Sequence, residues 1–71
     1  MLAYAIVNQI QSLGYIVKTF RNNGKVEMHA VKLDGLQEPQ IARCEDGDGP
    51  QEEYRCACLL AEAVGIDLED I

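Results

Sequence analysis

At 71 residues the chain has room for one domain with one small core. Twelve acidic residues against six basic ones give a net charge of −6, which favours solubility and opposes binding to phosphate backbones, where clustered Lys and Arg are needed. No apolar run approaches the ~20 residues of a membrane span, so neither a nucleic acid nor a membrane is the expected partner.

A domain this short buries only about 60% of its unfolded surface, and small domains commonly add disulfides, a metal or a partner. The cysteines are three, Cys44, Cys56 and Cys58. Cys56 and Cys58 stand two apart on a predicted helix and diverge by about 200°, so they cannot pair there. The N-terminus lacks the basic and cleavage regions of a leader. A reduced, cytoplasmic protein is therefore expected. One C-x-C and one histidine, His29, do not match finger-type zinc spacing, and no cofactor is expected. Association with a partner, or simple marginal stability, is what remains.

Leu2, Ile6, Ile10 and Leu13 recur at helical spacing, with Ala3 and Val7 beside them and Tyr4, Asn8, Gln11 and Ser12 opposite. This pattern predicts an amphipathic helix over about 1–13, stopped by Gly14. Residues 15–21 are rich in β-branched and aromatic types and predict a strand. Asn23-Gly24 signals a two-residue hairpin turn, and the alternation over 25–33 gives the second strand. After Asp34-Gly35 and Pro39, a shorter strand is expected at about 40–45. Residues 45–50 form a loop. Asp48 or Gly49 can cap the next helix, expected over about 50–64, with Pro50, Glu52 and Glu53 in its first turn. Gly65 stops it, with Ile66 able to fold back on the last turn. An acidic tail, 66–71, completes the chain.

The order is α-β-β-β-α, an α+β fold. Its natural packing is a three-stranded antiparallel meander with both helices on one face. This topology resembles that of double-stranded-RNA-binding domains. Such domains hold phosphates with basic residues at the start of the second helix, whereas here that helix begins Gly49-Pro50-Gln51-Glu52-Glu53. The resemblance therefore implies the fold and not RNA binding. Through His29-Ala30-Val31, the stretch ARCEDGDG from Ala42 and the stretch EYRCACLLAEAVGI from Glu53, the chain is also similar to small uncharacterised bacterial or phage-borne proteins. That similarity implies no particular activity.

A two-residue turn at Asn23-Gly24 pairs Asn22 with Lys25, Arg21 with Val26, Thr19 with Met28 and Val17 with Ala30. Tyr15, Val17, Thr19, Val26, Met28 and Ala30 then lie under the helices. A one-residue slip would bury Lys18 beside Met28. With Ala42 and Cys44 inward, the other side carries Ile16, Lys18, Phe20, Glu27, His29, Val31, Leu33, Ile41 and Arg43. Ile16, Phe20, Val31 and Ile41 make that side a candidate interface, because contiguous exposed apolar residues mark contact sites. On the second helix the predicted core stripe is Ala57, Leu60, Ala61 and Val64. Cys56, Leu59 and Ala63 form an outer apolar stripe, bounded by Arg55, Glu62 and Glu53, and add a second candidate interface.

The acidic stretch Glu45, Asp46, Asp48, Glu52 and Glu53 resembles a fragment of a calcium loop. It is too short for the twelve-position ligand set and reads better as turn plus helix cap. His29 has no nucleophile at a suggestive spacing, and no set of nucleophile, base and oxyanion donors can be named, so no enzyme is expected. The leading expectation is a small acidic protein acting by protein–protein contact, as a homodimer. An acidic inhibitor or nucleic-acid mimic from a mobile element is the second reading. A small-molecule or metal binder using His29 and Cys44 is the third.

Overall fold

The computed structural model describes residues 3–45 and 49–67. Helix α1 spans Ala3–Ser12, strands β1, β2 and β3 span Tyr15–Asn22, Lys25–Lys32 and Gln40–Cys44, and helix α2 spans Pro50–Ala63. Leu2, Asp46, Asp48 and the tail over 68–71, all read from the sequence above, lie outside the described residues.

The sheet is an antiparallel meander in the order β1-β2-β3. Its register is set by the hairpin turn. Asn23 and Gly24 take φ values of +51° and +77°, the left-handed pair that a two-residue turn of matching twist requires. Asn22 pairs with Lys25, and each pair back to Tyr15–Lys32 follows in step. On the other side Val26 pairs with Cys44, Met28 with Ala42 and Ala30 with Gln40. Val26, Met28, Ala30, Ala42 and Cys44 are all buried, and Tyr15 and Val17 pack against them from the edge strand.

Both helices cover this same face. Helix α1 lies against β1 and α2, while α2 lies against β3, β2 and α1. Ile6 and Ile10 carry the buried stripe of α1. Leu13, expected to extend that stripe, is 46% exposed, because the helix has already ended before it. The bend after α1 is tied down by the Leu33 N–H, which donates to Gly14 O at 2.8 Å. The Lys32 ammonium adds a bond to Leu13 O at 2.6 Å and sits over the Tyr15 ring.

The phase of α2 differs from the sequence reading. Its fully buried residues are Cys56, Ala57, Leu60 and Ala61, so Cys56 belongs to the core and not to an outer stripe. At ~100° per residue these positions, with Val64, span about 140° of the helix. The arc is wide because α2 has to cover sheet on one side and α1 on the other. Glu53 falls inside the same arc, where it forms an ion pair with Arg21 of β1. Leu59 and Ala63 remain exposed. The helix ends in a two-bond cap: the Ile66 N–H donates to Ala61 O and the Gly65 N–H to Glu62 O. Gly65, at φ +90°, supplies the left-handed residue that this cap needs, and Ile66 folds back onto the core.

Candidate functional site

With both helices on one face, the other face of the sheet is left open. The strand period sends Ile16, Lys18, Phe20 and Asn22 of β1 to this side, with Lys25, Glu27, His29 and Val31 of β2 and Ile41 and Arg43 of β3. Ile16, Phe20 and Ile41 are 46%, 49% and 44% exposed. Val31, on the central strand, is half-buried by its neighbours.

A polar network runs through the middle of this face. The Glu27 carboxylate takes both partners: His29 Nε2 lies 2.5 Å from Oε1, and Arg43 Nε donates to Oε2 at 3.1 Å. The first contact requires the Nε2–H tautomer of His29. The Phe20 ring leans on the His29 ring, with centroids 4.9 Å apart and planes inclined at 56°. Phe20, Asn22, Lys25, Glu27 and His29 line a surface pocket of about 300 Å³ at the hairpin end of the face. The His29 bond, aided by Arg43 and opposed by partial burial, holds the Glu27 carboxyl below the ordinary value of 4.5. A carboxylate depressed in the folded state adds stability that is present above its unfolded pKa and lost as pH falls through the folded value. Glu27→Gln is therefore expected to melt below the native chain at pH 7, the gap closing on acidification below pH 4.5. A gap that stays constant as the pH is lowered from 7 to well below 4.5 would mean that the charge is not its origin.

The residues nominated from the sequence fall on two surfaces. Ile16, Phe20, Val31 and Ile41 share the open sheet face, whereas Leu59 and Ala63 lie on the helix layer. Cys56 joins neither. Its thiol sits over the sheet, with Sγ 3.2 Å from Ala42 O and 3.8 Å from Val26 O. Burial, and after it the neighbouring Cys44, pushes that thiol up to about 12. Cys44 and Cys56 thus meet inside the core, a juxtaposition missed when Cys56 was assigned outward. The thiolate is the reactive form, and moving the thiol from an ordinary 9.0 to about 12 leaves roughly 1,000-fold less of it at pH 8. Iodoacetamide at pH 8 is expected to label half-buried Cys58 first and to reach Cys56 only after denaturation. Equal labelling of the two in the folded chain would overturn the placement of Cys56.

His29 and Cys44 face opposite sides of the sheet, so they cannot share a ligand. Among the described residues no group of His, Cys, Asp and Glu is placed to hold a metal. In the acidic segment, Glu53 is paired with Arg21 and Glu52 lies 3.5 Å from Arg55, while Glu45 is exposed. Gly49 is the N-cap of α2, with no side-chain cap bond. The sequence reading did not single out Leu36, which at 86% exposure stands clear of the fold in the β2–β3 loop. Its signal was a lone leucine between Gly35 and Pro39. Among the described residues no helix is long and apolar enough to cross a membrane.

No family model, no curated protein and no solved structure matches the chain.

Proposed function

We propose that the protein acts through protein–protein contact, with a second copy of the chain seated on the open face of the sheet. The observation that carries this reading is the exposure of Ile16, Phe20 and Ile41 together on one flat face. The charge of that face says why a second copy suits it. Among the described strand residues, Lys18, Lys25 and Arg43 share it with one carboxylate, Glu27, so most of the acidic excess of the chain is carried elsewhere. A second copy meets less repulsion there than over the carboxylate-rich remainder of the surface.

The second reading, an acidic inhibitor or nucleic-acid mimic, draws support from the net charge of −6. It is weakened by the pairing of Glu52 and Glu53 with arginines, which leaves less free anionic surface for a basic groove. Sedimentation equilibrium on the native chain at micromolar concentration separates the two. Twice the chain mass is the expected result. A monomer throughout that range would defeat the self-association reading, and steeply salt-dependent binding to a basic protein would favour the alternative.

A further inference from the structure

Resting on that self-association reading, we infer that the two open faces pair head to tail, each copy seating its β2–β3 loop on the hairpin end of the other. The two ends of the face differ in chemistry. The hairpin end holds the pocket of about 300 Å³, lined by the Phe20 and His29 rings, Asn22, Lys25 and Glu27; Arg43 offsets the Glu27 carboxylate, so Lys25 sets the sign of that end. The far end is the loop over 33–39, where Leu33 and Leu36 are 68% and 86% exposed, and Asp34 and Glu38 supply two carboxylates. That loop is held in shape: the Leu36 N–H donates to Asp34 Oδ1 at 2.9 Å, and the Gly35 N–H to Lys32 O at 3.0 Å. One end is therefore an aromatic, basic recess and the other an apolar, acidic projection.

Symmetry turns this difference into a geometry. In a closed dimer, a patch that contacts another must be contacted by it in return. Place the twofold axis in the plane between the sheets, across the strands at the rung Lys18–His29–Ile41. His29 is midway between Lys25 and Leu33, and Lys18 midway between Ile16 and Phe20. Phe20 then lies over Ile16 of the second copy, and Lys25 lies over its Leu33 and Asp34. Lys18, on an edge strand, can carry its ammonium outward to water along its stem. An axis parallel to the strands would instead set Glu27 over Glu27 and Lys25 over Lys25, a like-charge stack that is destabilising.

The test uses two variants of the full chain at exposed positions. One reverses the recess (Asn22→Glu with Lys25→Glu), and the other reverses the loop (Gln37→Lys with Glu38→Lys). Each alone should weaken dimerisation, read by sedimentation equilibrium, by about tenfold or more. An equimolar mixture should restore a dimer, because recess and loop are then opposite in sign at both contacts. Circular-dichroism melts on each variant confirm that the monomers are folded. Reversed variants that dimerise like the native chain would overturn the head-to-tail geometry while leaving self-association standing, as would a mixture that stays monomeric. A monomeric native chain would overturn both.

Discussion

Leu60→Ala is expected to cost about 2–5 kcal/mol of unfolding free energy, the range for removing a buried leucine side chain. For a chain of 71 residues, at ~0.05–0.15 kcal/mol per residue, that is a large part of all the stability it has. Leu60 is fully buried at the centre of the α2 arc. The side chains sharing its cluster include Ala30, Ala42, Ala57 and Ala61, which are too short to swing into the space it would leave. The helix itself is held at its end by the Gly65 and Ile66 cap, which limits collapse. Urea unfolding followed by circular dichroism should show a lower midpoint at an unchanged slope. Leu59→Ala, one residue away and 44% exposed, should stay within about 0.5 kcal/mol of the native chain. Equal losses at the two positions would contradict the phase of α2.

Phe20→Asp should have the opposite profile, leaving the fold in place while breaking self-association. Phe20 is 49% exposed, and its described ring contact is the tilted one with His29. Its removal should shift the melting temperature by only a few degrees, consistent with about 1 kcal/mol or less in a domain of this size. As the large aromatic of the proposed contact it is the natural hot spot, and loss of such an anchor costs at least ~2 kcal/mol, or about thirtyfold in dissociation constant. A charge there would also be desolvated against Ile16 of the second copy. Sedimentation of Phe20→Asp should give a monomer where the native chain is dimeric. A variant that dimerises normally would remove the open face from the interface.

The parts of the fold that could be read in the sequence are those controlled by local chemistry. Asn23-Gly24 specified the hairpin turn, the turn set the register, and the period of two then sorted Val17, Val26, Met28 and Ala30 from Ile16, Phe20 and His29. Gly14 and Gly65 marked both helix ends. The phase of α2 was less accessible. Residues 54–64 are apolar on nearly every side, so several arcs of the helix look equally suitable as a core stripe. The reading chose the arc Ala57, Leu60, Ala61 and Val64, sufficient for a helix lying on a single neighbour, and Cys56 was turned outward as a result. Glu53 was placed on the outer rim for the same reason.

Element order, sheet register and the sorting of strand residues onto two faces were legible in the chain itself, because each follows from turn residues and alternation over short distances. Only the packed layers show that both helices dock on one face and leave the other uncovered, and that α2 spans both sheet and α1 and so draws Cys56 inward beside Cys44. They also show that Arg21 reaches Glu53 across the layers, and that Glu27 gathers His29 and Arg43 beneath Phe20. Those contacts join residues far apart in the chain, and their geometry is set by how the layers dock, which no local pattern encodes.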